Sequence, residues 1–124
     1  MALDRSQAQA NVPALPKETV PFAPLRGEVI VRGLLLAEQQ ANGRRTAQER
    51  EPREGETVEE ALTRANAVMA VRIVSQAVID ADGAPLLTLK EWEAVAASDQ
   101  AALFGLADIA LKLSGSRAAE LEKN

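Results

Sequence analysis

The chain has 124 residues, a net charge of −4 and 47% hydrophobic residues, so it is long enough for one domain with a modest core. It contains no Cys and no His, which excludes disulfides, the usual zinc, haem and iron–sulfur ligand sets, and the commonest general base and thiol nucleophile. Aromatic residues make up only 2%, so we expect a core of Leu, Ile, Val and Ala in closely packed helices.

The N-terminal part of the chain predicts an arm followed by a short β-hairpin. Residues 1–17 have neither a helical nor a strand period and contain two prolines, so they are predicted to be flexible. Residues 19–22 and 28–32 are rich in β-branched side chains and flank a loop with Gly27, which is typical of a hairpin. Pro21 lacks a backbone donor, so the first strand is expected at a sheet edge.

Helices are predicted after the hairpin. A first helix begins at Leu34 and is interrupted by Asn42-Gly43, and the polar residues 44–56 are read as a flexible connector. Thr57 and Glu60 form a capping box that opens a helix over residues 57–79. The β-branched residues 71–79 would also suit a strand, but the helical period runs straight into them.

The C-terminal half predicts shorter helices. Thr88 and Glu91 form a second capping box, which opens a helix over 89–97, and Ser98-Asp99 caps a helix over 99–114. Gly115 is expected to end that helix, and Ser116 to begin a last short one. The fold class is therefore mainly α with a minor β part: a single small helical domain over residues 18–124, with four or five helices and a short N-terminal β-hairpin.

The sequence Asp80-Ala81-Asp82-Gly83 lies between two predicted helices and invites a calcium-loop interpretation. If Gly83 is placed at the required glycine position, the end positions fall on Val78 and Leu89, which are not ligands. If Asp80 begins the loop, Pro85 stands where the glycine is needed. A turn in which the aspartates bond their own backbone explains the residues better. We expect no metal-binding or cofactor-binding residues.

Other function classes are disfavoured. The basic residues around Arg44-Arg45 are diluted by glutamates, so no nucleic-acid-binding face is expected. The N-terminus lacks the apolar run of a signal peptide, and no stretch approaches the ~18 consecutive apolar residues of a membrane span, so we expect a cytoplasmic protein. No carboxylate lies in an apolar stripe where burial would tune its pKa, so no catalytic residue is expected and the chain is predicted not to be an enzyme.

Four large apolar residues are candidates for partner binding. In the run Leu34-Leu35-Leu36, at least one leucine must face outward on a helix unless a partner covers it. Trp92 is either a core plug between helices or an interface anchor, since Trp is favoured in binding hot spots. These four residues are the candidate partner-binding set. The three leucines, together with the apolar helix over 57–79, also predict self-association.

Three motifs, in matching order, resemble the tail assembly chaperones of long-tailed, non-contractile bacteriophages (siphoviruses). Residues 27–34, Gly-Glu-Val-Ile-Val-Arg-Gly-Leu, followed by Ala37-Glu38, are similar to that family's opening motif. Residues 78–83, with Leu87-Thr88 and Trp92, are similar to its middle signature. Residues 111–115 and 120–124 resemble its usual ending, so the resemblance covers about residues 27–124.

The resemblance implies a phage or prophage protein that binds the helical tape-measure protein, keeps it soluble and promotes polymerisation of the tail tube around it. Such chaperones act in the host cytoplasm and are not part of the mature virion. A longer form made by ribosomal frameshifting recruits the major tail protein, and the ending Glu122-Lys123-Asn124 can be encoded by a slippery run. The alternative is a small acidic intracellular adaptor or regulatory protein that binds one helical partner.

Overall fold

The computed structural model describes residues 2–123, with side chains described through residue 115. These residues form five α-helices and a three-stranded antiparallel sheet. The elements are α1 (Arg5–Ala10), β1 (Lys17–Phe22), β2 (Gly27–Arg32), α2 (Leu36–Glu49), α3 (Val58–Ala77), β3 (Val78–Ile79), α4 (Leu89–Ser98) and α5 (Gln100–Lys123). The predicted fold class, mainly α with an N-terminal hairpin, is confirmed.

The sheet has the order β1-β2-β3, so β1 lies at an edge, as Pro21 predicts. Gly33 N donates to Pro16 O at 2.8 Å. In an antiparallel pair, the backbone N–H and C=O groups of successive residues point alternately toward and away from the neighbouring strand. The backbone groups of Glu18, Val20 and Phe22 therefore point to β2, whereas those of Pro21 point to the open edge. The missing donor of Pro21 consequently removes no hydrogen bond from the sheet.

The core lies between one face of the sheet and the helices α3, α4 and α5. α5 packs against both β2 and α3, and α4 packs against α3 and α5. The core side chains are mostly aliphatic: Val20, Val29, Val31, Ile73, Val74, Val78, Leu103 and Leu106. Trp92 is 0% exposed and meets Phe22 in an edge-to-face contact with ring centroids 6.0 Å apart. The expected aliphatic core is thus built around a single large aromatic pair.

The helix predicted over residues 57–79 begins as expected but ends early. Thr57 Oγ1 accepts from Glu60 N at 3.1 Å, and Glu60 Oε1 accepts from Thr57 N at 3.2 Å, which confirms the capping box. The helix ends at Ala77, and Val78–Ile79 pair with β2 instead, so the prediction is wrong for these two residues. Both are β-branched and complete the free edge of β2, a tertiary contact that outweighs the helical period.

Two predicted helix breaks are also wrong. α2 continues through Asn42-Gly43 to Glu49. The Asn42 side chain is hydrogen-bonded to Gln76 of α3, and Gly43 does not adopt the positive φ that would end the helix. α5 continues through Gly115, which does not adopt the left-handed conformation that ends a helix. The non-helical connector is reduced to residues 50–57. Its flexibility, and the division into an arm over 1–17 and a domain over 18–124, stay predictions.

Candidate partner-binding site

The junction between β2 and α2 is fixed by one ion pair. Arg32 Nη1 and Nη2 donate to the two carboxylate oxygens of Glu38 at 2.8 and 2.9 Å. Glu38 Oε1 also accepts from Leu35 N at 2.9 Å, at the start of α2. The hydrogen bond from Arg32 lowers the pKa of Glu38, against the opposing effect of burial. The strand and the helix that follows it are therefore locked at a defined angle.

The same junction is packed closely against α5. A Cβ on Gly33 would lie 3.2 Å from the carbonyl oxygen of Leu113, so the backbones approach at a distance that suits glycine. Leu34 N donates to Ser114 Oγ, and Ser114 Oγ donates to Ala110 O in turn. Four residues of the opening motif thus contribute to the fixed geometry of the junction: Arg32, Gly33, Leu34 and Glu38.

The four predicted partner-binding residues divide into two pairs. Leu34 and Trp92 are buried in the core, and Trp92 Nε1 has no acceptor among the described residues. Leu35 and Leu36 are 50% and 70% exposed, directly after the rigid junction. Of these four residues, only Leu35 and Leu36 therefore offer apolar surface to another molecule in this conformation. Partner binding by them stays a prediction.

The Asp80-x-Asp82-Gly83 segment forms a tight turn between β3 and α4. Asp80 Oδ1 accepts from the backbone N of Asp82 at 2.8 Å and of Ala84 at 3.1 Å. Gly83 has a φ of +88°, a conformation that glycine adopts without strain. The carboxylate of Asp80 is thus used by the turn itself, as the sequence predicts. Among the side chains that the structure describes, residues 2–115, no three Asp or Glu gather in a metal-binding cluster.

A groove of about 250 Å³ lies between α3 and α4, and the sequence analysis does not predict it. It will be called the α3–α4 groove, and its lining residues are Ala67, Val68, Val71, Arg72, Leu89, Glu93 and Ala96. Val68 and Leu89 are substantially exposed along it. The signal was present in the second apolar row of α3, Val68 and Val71, which predicts burial on more than one side. α4 covers that row only in part.

Arg72 is the unusual residue of the groove, because it is buried and incompletely paired. Its Nη2 donates to Glu49 Oε1 of α2, while its Nη1 has no acceptor among the described residues. Beside it, Asn42 Nδ2 donates to Gln76 Oε1 at 2.8 Å. The only buried residues of α2 are Asn42 and Thr46, so this helix is attached to α3 through polar groups. The attachment therefore depends on satisfied hydrogen bonds more than on apolar area.

The described residues define a small helical domain whose exposed apolar surfaces include Leu35-Leu36 and the α3–α4 groove. None of its described helices is long and apolar enough to cross a membrane. The fold is similar to the solved structure of the bacteriophage HK97 tail assembly chaperone, with a TM-score of 0.61 and 18% identity over 89% of this chain and 98% of that chain. The sequence matches no family model and no curated protein. The chain therefore has the fold of a phage tail assembly chaperone, and the resemblance seen in its motifs is confirmed at the level of fold.

Proposed function

We propose that this chain is a tail assembly chaperone of a siphovirus or prophage. In this role it binds the helical tape-measure protein in the host cytoplasm, keeps it soluble and promotes polymerisation of tail-tube subunits around it. The observation that carries the proposal is the shared fold with the HK97 chaperone over nearly the full length of both chains. The motifs that suggest the same family lie at structurally used positions, the β2–α2 junction and the turn before α4.

The surface properties of the domain support this role. A long apolar helix offers many similar registers, so a chaperone for it needs shallow apolar surface more than one deep pocket. Leu35 and Leu36 provide such surface on a rigid junction, and the α3–α4 groove provides more. The net charge of −4 keeps a domain with exposed apolar groups soluble.

Co-expression with the candidate tape-measure protein, a long helical protein encoded by a neighbouring gene, tests the proposal. The wild-type chain should move that protein from the pellet into the soluble fraction. A failure to do so would contradict the proposed role and favour the alternative of an acidic adaptor for another helical partner.

The variant L35E/L36E tests which surface is used. Both leucines are at least half exposed, so the urea midpoint of the chaperone should change little. Burying a leucine contributes about 1.5–3 kcal/mol, so losing both should weaken binding by at least about tenfold. Leu25→Glu is the matched control, because Leu25 is also exposed but lies at the opposite end of the hairpin. Equal activity of L35E/L36E and the control would exclude these leucines.

The proposal includes a longer frameshifted form that recruits the major tail protein, and self-association of the short form. Sequencing of the gene tests the first: the codons of Glu122-Lys123-Asn124 should form a slippery run with an overlapping downstream frame. Sedimentation tests the second, since a strict monomer at high concentration would contradict it. Both tests are independent of the co-expression result.

A further inference from the structure

α2 is attached to the domain differently from the helices that follow it. Among the described residues, none of those in α2 belongs to the apolar core, and α2 packs mainly against α3. Its buried residues are the polar Asn42 and Thr46. By contrast, α3, α4 and α5 each place apolar side chains in the core. The attachment of α2 therefore depends on polar contacts with α3.

These polar contacts are incomplete. In the middle of α2, Asn42 and Gln76 exchange hydrogen bonds of 2.8 and 3.3 Å. At the end of α2, Glu49 Oε1 accepts from Arg72 Nη2. The other atoms of this ion pair, Glu49 Oε2 and Arg72 Nη1, are buried without a partner among the described residues. Taking charged groups out of water costs free energy that only complete hydrogen bonding offsets, so this pair contributes little to the attachment of α2.

α2 has little stability of its own once it leaves α3. It has 14 residues, close to the length of about 12–15 residues below which isolated helices are at best marginally stable in water. Gly43 lies in its interior, where glycine is less favourable than alanine. The segment is anchored at both ends, because Glu38 pairs with Arg32 of β2 and Glu56 of the connector pairs with Arg64 of α3. Between these anchors α2 cannot swing away as a rigid body, so it leaves α3 by unfolding.

The segment between the two anchors covers a face of α3 that is not part of the core. Ala61 and Ala65 are 0% exposed, yet neither belongs to the core cluster. They lie on the same face of α3 as Arg72, which contacts α2. Val58 and Leu62, which adjoin this row, are 64% and 39% exposed. Unfolding of the segment therefore extends the exposed apolar surface of α3 to the buried alanines.

We propose that residues 39–55 form a lid on α3, which unfolds while the sheet and the helices α3, α4 and α5 remain folded. Opening of the lid breaks the polar contacts with α3 and leaves the apolar core intact, so it requires less free energy than global unfolding. The closed lid hides the row of Ala61 and Ala65, and the open lid exposes it beside Val58 and Leu62. The lid thus determines how much apolar surface α3 presents. This inference does not depend on the proposed function.

Thiol labelling under native conditions tests the lid, because the chain has no native Cys. Thr46→Cys places a buried thiol in the lid, and Ala65→Cys places one beneath it on α3. Ala70→Cys is the matched control, because it makes the same change on the same helix but in the core. A buried thiol reacts only when its surroundings open. The Thr46→Cys and Ala65→Cys thiols should therefore react at least about tenfold faster than the Ala70→Cys thiol, with a weaker dependence on urea.

Two results would overturn the proposal. One is labelling of all three variants at the rate set by global unfolding, which urea unfolding of each variant gives, because α2 would then open only together with the core. The other is a fast Thr46→Cys thiol with an Ala65→Cys thiol as slow as the control, because α2 would then fray without uncovering α3. If the added sulfur prevents Ala65→Cys from folding, the comparison of Thr46→Cys with Ala70→Cys still decides whether the lid opens separately.

Two glycine replacements in the Thr46→Cys background give a second, independent readout. Gly43 of α2 and Gly105 of α5 are interior helix positions where an added Cβ has no heavy atom within 4 Å. Alanine favours the helix, so Gly43→Ala should slow labelling by about fivefold. Gly105→Ala should leave the rate unchanged, because α5 stays folded when the lid opens. Equal slowing by both replacements, or no slowing by Gly43→Ala, would contradict a lid that unfolds separately.

Discussion

Replacement of Gly33 by alanine tests whether the β2–α2 junction is seated on α5 as described. A Cβ at this position would lie 3.2 Å from the carbonyl oxygen of Leu113 and 3.3 Å from its carbonyl carbon. These are backbone atoms of a helix, so relief requires α5 to move by a few tenths of an ångström. That movement also stretches the hydrogen bond from Leu34 N to Ser114 Oγ.

The change in the free energy of unfolding caused by Gly33→Ala has two opposing contributions. Overpacking at a close contact costs about 1–3 kcal/mol. Alanine also reduces the conformational entropy of the unfolded chain, which stabilises the folded state by about 0.4–1 kcal/mol. Gly27→Ala is the matched control, because Gly27 begins the same strand and has no heavy atom within 4 Å of the added Cβ. The unfolded-state effect is common to both variants, so their difference isolates the contact and should be about 1–3 kcal/mol.

Urea unfolding followed by Trp92 fluorescence measures this difference. Trp92 is the single tryptophan and is fully buried, so its emission reports on loss of the core. With a urea slope of about 1–3 kcal/mol/M, the midpoint of Gly33→Ala should fall below that of Gly27→Ala by roughly 1 M. Midpoints that agree to within the equivalent of about 0.5 kcal/mol would refute the close approach of the junction to α5.

Three further predictions concern polar groups and Trp92. Asn42→Ala should cost about 1–2 kcal/mol in urea unfolding because it strands the Gln76 amide, and N42A/Q76A should cost little more than the single variant; additive losses would contradict a coupled pair. The hydrogen bonds from Arg64 and from the backbone of Arg53 lower the pKa of Glu56 from 4.5 to about 2. The ionised carboxylate therefore stabilises the folded state fully above pH 4.5, and this contribution is lost as the pH falls toward 2. Glu56→Gln should therefore be less stable than wild type at neutral pH and should approach it near pH 2; a constant difference would exclude the linkage. Trp92→Phe keeps an aromatic ring in the core and leaves no acceptor stranded, because Trp92 Nε1 has none among the described residues, so it should cost less than the about 3–5 kcal/mol of Trp92→Ala, as measured by circular dichroism. Equal losses would contradict the packing of the ring in the core.

The features that local sequence could predict are those that local atoms determine. The capping boxes at Thr57 and Thr88 involve a side chain and a backbone group three residues apart, and both are present. The turn at Asp80 depends on its own carboxylate and on the positive φ of Gly83. The edge position of β1 follows from the missing donor of Pro21. Each of these features is complete within a few residues, so the sequence contains the whole reason for it.

The features that the sequence could not predict depend on distant partners. Val78 leaves the helix because β2 offers a free edge, and β2 lies almost fifty positions earlier in the chain. Asn42 remains helical because Gln76 holds its side chain. The division of the four candidate binding residues into buried and exposed pairs depends on α5, which covers Leu34 and leaves Leu35 accessible. No periodicity within one segment carries this information.

The α3–α4 groove shows how an outward apolar surface arises from the same pattern that builds the core. α3 carries more apolar positions than one face of a helix can hold. Ala70, Val74 and Ala77 face the core and are buried, while Val68 in the neighbouring row is 39% exposed, because α4 covers that row only in part. Partial coverage of α3 therefore gives the domain a buried core and an exposed apolar surface from one helix.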